Sequence, residues 1–177
     1  MEFTNMIIPE VINGFNVYDI DGNVQVGITD EMSMAELASR VATITGAGIA
    51  GSYDVPVLGH FDSITQEIPF RILYKPIFQF ANPMKQVGLV VRGAIQVTDK
   101  GTGVSDFAGF RYVVRGRSKT ITPGNLKPGD VMGSKVSIEA VYILYEIDGV
   151  KLIEIDKLNN IYRIDGVDLM EKVRRLC

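Results

Sequence analysis

The sequence predicts a mainly β fold with two short helices and one long hairpin arm. Three observations predict it. Long runs rich in Val, Ile, Tyr and Thr are bounded by Gly, Asp, Asn and Pro clusters, as strands are. Helical periodicity is scarce. A glycine-broken apolar stretch lies between two strand-like arms that can pair with each other.

Taken in order, the chain first offers a hairpin over Asn13–Asp30, with Asp21-Gly22 at its turn. Next, "AELASRVATI" and "SYDVPVL" flank the glycine-rich tip of an arm over Thr43–Phe61, interrupted by Gly46, Gly48, Gly51 and Gly59. Ten residues of strand extend about 33 Å, farther than a small domain needs to cover itself. Apolar residues on so long an arm are costly in water unless something covers them, and a partner subunit is the favoured cover over an internal flap. "YKPIFQFANP" reads as a short helix, with proline tolerated in its first turn and Asn-Pro as its stop.

Strands follow at Gly88–Thr98, Phe110–Thr122 and Ser134–Ile147. A polar tip, "DKGTGVSD", separates the first two, and "PGNLKPGDVMG" breaks the chain before the third. Ser134–Ile147 is apolar on both faces over its second half, which places it centrally or under a helix or another subunit. The ending "DLMEKVRRLC" opens with Asp168, carries Glu171 at capping-box spacing, and sets Lys172, Arg174 and Arg175 near the negative end of a helix dipole.

Composition narrows the function. At 177 residues the chain is read as one domain, residues 1–177, able to bury a core without disulfides or metal. Apolar residues make up 46% and charged residues 22%, which excludes a disordered chain. A formal charge of −3 argues against a general nucleic-acid binder. Cys177 is the only cysteine, so no internal disulfide can form. The amino terminus lacks a basic, then apolar, leader, and no window reaches the roughly 18 apolar residues of a membrane span. Synthesis in a cytoplasm is the expectation.

Chemistry-bearing motifs resolve into structural ones. Asp19, Asp21 and Asn23 alternate like calcium ligands, but the sixth loop position is Val24 instead of glycine, and the twelfth is Asp30 instead of glutamate. Asp21-Gly22, Asp148-Gly149 and Asp165-Gly166 lie between apolar runs and read as hairpin turns. "GAGIAG" matches G-x-G-x-x-G in letters, yet "SYDVPVL" follows it where a helix is required. His60 is the only histidine and no nucleophile motif accompanies it, so a structural role is expected. "RGRSK" (Arg115–Lys119) is the densest basic run and reads as a solvated or inter-subunit edge. No catalytic, cofactor-binding or metal-binding residue is assigned.

The carboxy-terminal third resembles the major tail tube proteins of contractile-tailed bacteriophages and R-type tailocins. The residues that carry the likeness are "RGRSK", a Gly/Pro loop, "DG-x4-EID-x-LN" from Asp148 to Asn159, and "IDGVD" from Ile164 to Asp168. "GAGIAG…VPVLGHFDS" (Gly46–Ser63) is a looser match, and the resemblance covers nearly the whole chain.

The resemblance implies two packed antiparallel sheets with a helix at one side. It implies homo-hexameric rings stacked into a tube inside a contractile sheath, with baseplate and tape-measure proteins as further partners. DNA or ions would pass through the lumen without specific binding, and no cofactor is implied. It implies an interface role for Gly46, Gly48, Gly51 and His60, and a structural signature at Glu154, Asp156 and Asn159. The location implied is a virion tail or a headless tailocin particle. A type VI secretion tube protein shares the fold and ring, and a β-sandwich enzyme is the alternative from a different class.

Overall fold

The structure, a computed structural model, describes residues 6–24 and 27–177. Ten strands dominate: β1 (Ile7–Asp19), β2 (Ser39–Thr45), β3 (Ser52–Phe61), β4 (Thr65–Phe70), β5 (Val87–Asp99), β6 (Ser105–Thr122), β7 (Ser134–Ile147), β8 (Val150–Asp156), β9 (Ile161–Ile164) and β10 (Val167–Asp168). Eight of them form one antiparallel sheet in the order β1-β5-β6-β7-β8-β9-β10, with β4 also on β7, while β2 and β3 form a separate two-stranded sheet. The mainly β, two-sheet expectation is met.

β7 is the centre. β6 runs along one edge of it, and its other edge is divided: β4 pairs with Ser134–Glu139 and β8 with Tyr142–Ile147. That placement explains its apolar second half. Cross-strand rows build the core on one face, Leu89–Val114–Ile143–Ile155 and Val17–Val91–Tyr112–Tyr145, joined by Ile68–Val136 from β4. Ile77 and Phe80, in and after a short 3-10 turn at Lys75–Gln79, add to the same cluster. Proline and a stop this close together leave room for a 3-10 turn and no α-helix.

The opposite face buries a thinner row, Val113 and Leu144, with Val90 half-buried beside them. Charged rows flank it. Arg92 and Arg111 stand directly opposite each other, with Glu146 next, and Arg115 neighbours Tyr142. Facing arginines repel. Here each has other company: Arg92 lies 5.2 Å from the Tyr18 ring centre, and Arg111 is 3.0 Å from Glu146. Long side chains laid over this face help to exclude water from it.

Several details differ from the sequence expectation. "RGRSK" is an edge only in its second half: Arg115 and Gly116 are paired on both sides, by β5 and β7, whereas Arg117 and Ser118 pair with β7 alone; Arg115 stacks 5.1 Å from the Tyr142 ring centre and Lys119 pairs with Glu139 at 3.4 Å. The hairpin over Asn13–Asp30 is reduced to a turn with one bridge, Tyr18 to Val24, because β1 pairs along its length with β5; residues 25 and 26 lie outside the described residues. The long-range ladder satisfies far more backbone groups than a local return could.

The carboxy-terminal helix α1 (Glu171–Leu176) forms without its capping box. Asp168 instead accepts a hydrogen bond from the Met170 N–H at 3.0 Å and holds Arg174 at 2.7 Å. An arginine fork offers this carboxylate a charged donor, which a backbone N–H does not.

Candidate assembly surfaces

The acidic carboxy-terminal stretch divides into turns and anchors. Asp148 and Asp165 take φ of 47° and are followed by Gly149 and Gly166 at 79° and 80°, the paired positive angles of tight hairpin turns. Asp19 and Asp156 act through their side chains. Asp19 Oδ1 accepts from the N–H groups of Asp21 and Asn23, and Asp156 Oδ1 from those of Leu158 and Asn159 at 3.0 Å each. Asn159 Nδ2 donates to Asp156 Oδ2 at 2.7 Å. Among the described residues no cluster of acids, histidine or cysteine could hold a metal ion.

Glu154 is an anchor, 8% exposed. It accepts from Arg163 at 2.9 Å and from the Tyr142 hydroxyl at 3.0 Å, with Lys151 at 3.5 Å. Burial pushes its pKa up, but the Arg163 and Tyr142 hydrogen bonds and the Lys151 charge together bring it below the ordinary value. Burial, then Glu154, push the Tyr142 phenol up to about 12. Asp168 is lowered, first by the Arg174 hydrogen bond. The chain Glu154–Arg163–Asp168–Arg174 thus fastens α1 to β8 and β9.

The Thr43–Phe61 arm is a hairpin, as expected, with β2 beginning slightly earlier at Ser39. Its register places Ala42, Ile44, Tyr53 and Val55 on one face. The other face is more polar and carries a 2.6 Å bond from Thr43 to Asp54. Tyr53 and Leu58 are more than half exposed. Two strands alone are marginal in water, and among the described residues no other strand pairs with this hairpin and none of the four apolar-face residues joins the buried core. "GAGIAG" is the tip: Gly48 and Gly51 take φ of 87° and 105°, and Ile49 N–H reaches back to Gly46 O at 3.2 Å. A strand-turn-strand cannot serve as a dinucleotide loop.

The arm's root is firm. Phe61 meets Tyr162 edge to face at 5.0 Å, and Gly59, at φ 73°, lets β3 pass directly over buried Met170. His60 is exposed there, at a cavity of about 370 Å³ shared with Asp156, Asn160 and Val173. It is a surface residue beside the arm's base and no part of the core.

Two features had no reading in the sequence. Gln66 is fully buried: its Oε1 accepts from Ala35 N–H at 3.0 Å and Tyr112 O–H at 2.7 Å, and its Nε2 donates to Ser33 O at 2.8 Å and Glu67 O at 2.6 Å. It pins the segment that leads into the arm. Beside that segment lies an apolar groove of about 250 Å³, lined by Ile12, Phe15, Met32, Met34, Val91 and Phe110, with Asp30 and Glu31 at its rim. The signals were present: a polar residue on the buried face of "TQEIPF", and two methionines at alternate positions flanked by acids in "DEMSMAE".

Uncovered apolar surface on a β scaffold, with the carboxy-terminal acids Asp148, Glu154, Asp156, Asp165 and Asp168 engaged in turns and ion pairs, is the pattern of a structural subunit. The sequence matches the family described as phage tail tube protein FII over residues 9–176, and the chain belongs to that family. It is 29% identical over 175 residues to the tail tube protein of Escherichia phage P2, spanning 96% of this chain and 98% of that one. The chain is accordingly a structural component of a phage tail tube and no enzyme. Among the described residues, no helix is long and apolar enough to cross a membrane.

Proposed function

We propose that residues 1–177 act as a single tube domain that forms homo-hexameric rings, stacked into a rigid hollow conduit inside a contractile sheath. The observation that carries this reading is the arm: an amphipathic hairpin, firmly rooted, whose face of Ala42, Ile44, Tyr53 and Val55 lies outside the buried core, with no other strand paired to the hairpin among the described residues. A neighbouring copy supplies the cover. Gly46, Gly48 and Gly51 shape its tip, and His60 marks its base at the same interface. Glu154, Asp156 and Asn159 keep the β8–β9 hairpin in shape.

Assembly also explains β1, a strand of 13 residues at the end of the sheet order whose outer side carries, among the described residues, only the Tyr18–Val24 bridge. Open edges pair with other chains, and closing strands round a ring removes them. Driven through an envelope by the sheath, such a tube passes DNA or ions, and an acidic chain of charge −3 favours sliding over gripping. The tape-measure and baseplate proteins set its length and start its growth.

Negative-stain electron microscopy across a concentration series, with mass by light scattering, tests the proposal. Rings or tubes of one diameter are expected. A chain that makes no tube even when seeded with tail baseplates would overturn it.

A further inference from the structure

The groove and α1 sit at opposite ends of the sheet. Ile12, Phe15, Val91 and Phe110, which line the groove, belong to β1, β5 and β6, whereas α1 follows β10 at the other end of the strand order. Their chemistry is complementary. Asp30 and Glu31 at the groove rim are exposed and make no ion pair among the described residues. On α1, Lys172, Arg175 and Leu176 fall at i, i+3 and i+4, on one face, and all three are exposed.

From this juxtaposition we infer that α1 of one copy docks in the groove of the next, with Leu176 over Met34 and Ile12 and with Lys172 and Arg175 against Asp30 and Glu31. The occupant is a second copy of this chain, and the inference rests on the ring assembly proposed above. Because donor and acceptor surfaces lie at opposite sheet ends, the contact is head-to-tail. Repeated with a closing rotation it generates a ring; without closure it generates a filament. The apolar centre with a charged rim is the usual anatomy of such an interface. Arg174, held by Asp168 and Asn160 O, fixes the helix so that the other two cations face outward.

Cys177, exposed beside Leu176, makes the test direct. Met34→Cys places a second thiol in the groove. Mild oxidation of assembled protein is expected to give a ladder of covalent multimers, absent when Ser105→Cys replaces it. Reversing both acids, Asp30→Lys with Glu31→Lys, raises the concentration needed for assembly about tenfold or more, and adding Lys172→Glu with Arg175→Glu recovers most of the loss.

An intrachain disulfide in Met34→Cys would overturn the inference. So would cross-linking of the groove to Ile49→Cys, in a Cys177→Ser background, in place of Cys177, since the arm would then be the occupant. Tubes that form while Met34→Cys gives no ladder defeat the docking alone. A wild-type chain that stays monomeric under every condition defeats the ring proposal and this inference together.

Discussion

Gln66→Leu isolates the role of a fully buried side-chain amide. Leucine keeps most of the volume but makes none of the four hydrogen bonds, so Ala35 N–H, Tyr112 O–H and Ser33 C=O lose their side-chain partner. Each buried group left unpaired costs about 1–3 kcal/mol. Some of that is recovered because leucine carries no polar atoms to desolvate, and the expected loss is about 3 kcal/mol. Tyr112→Phe removes the bond to Gln66 and the weaker interaction with Tyr145 but leaves Gln66 Oε1 with Ala35 N–H, so it costs about 1 kcal/mol.

Urea unfolding at low protein concentration reads both. With a slope of about 2 kcal/mol/M the Gln66→Leu midpoint falls by about 1.5 M. The double variant should cost less than the sum of the two, since they share a bond. A Gln66→Leu midpoint unchanged, or lowered no more than that of Tyr112→Phe, would refute the argument that this amide anchors the 33–35 segment to the core.

Three further outcomes are expected. Glu154, Glu139 and Asp168 all titrate below their ordinary values in the folded chain. A depressed carboxylate contributes stability above its unfolded value of about 4 and loses it as pH falls through the folded one. The thermal midpoint is therefore level from neutrality to about pH 5 and drops below about pH 4; a midpoint rising on acidification would contradict the ion-pair assignment. Gly116→Ala drives a methyl group into the Glu139 carbonyl oxygen at the β6–β7 bulge and costs about 2–3 kcal/mol by denaturant unfolding, whereas Ala at Gly14, which meets nothing, is tolerated. Amides of Thr43–Phe61 exchange rapidly in the monomer and slowly in assembled protein by mass spectrometry; strong protection in the monomer would mean the arm is covered within its own chain.

Strand identity was legible in the sequence because β-branched runs between Gly and Asp-Gly turns leave few alternatives. The arm was legible for the same reason, its tip spelled by Gly46, Gly48 and Gly51. What composition could not give was pairing across distance. β1 meets β5 some eighty residues on, so the local hairpin drawn over Asn13–Asp30 lost to a partner that no nearby residue signals. The basic run Arg115–Lys119 reads as a solvated edge from its charge, and past Gly116 it is one; its partners Tyr142 and Glu139 are known only from the β6–β7 register. Gln66 shares a face with Ile68 and Phe70, but a lone glutamine in a strand is ordinarily solvated, and only its partners' positions make it an anchor.

The distribution of anchors and open surfaces is itself an argument about how such a subunit works. Each surface left uncovered is attached to something rigid. The arm's apolar face grows from the Phe61–Tyr162 and Gly59–Met170 contacts, α1 is held through Asp168 and Arg174, and the acidic strap beside the groove is pinned by Gln66. Pre-ordered surfaces lose little conformational entropy on docking, so more of the contact energy reaches the assembly. The exception is the tip of the arm, where Gly48 and Gly51 at positive φ carry no side chain to fix the backbone, and in the proposed tube a neighbour would order it. A subunit built this way adds to a growing end readily. If its tip and helix both seat as proposed, it is held at two separated points, which resists bending better than one contact of the same area.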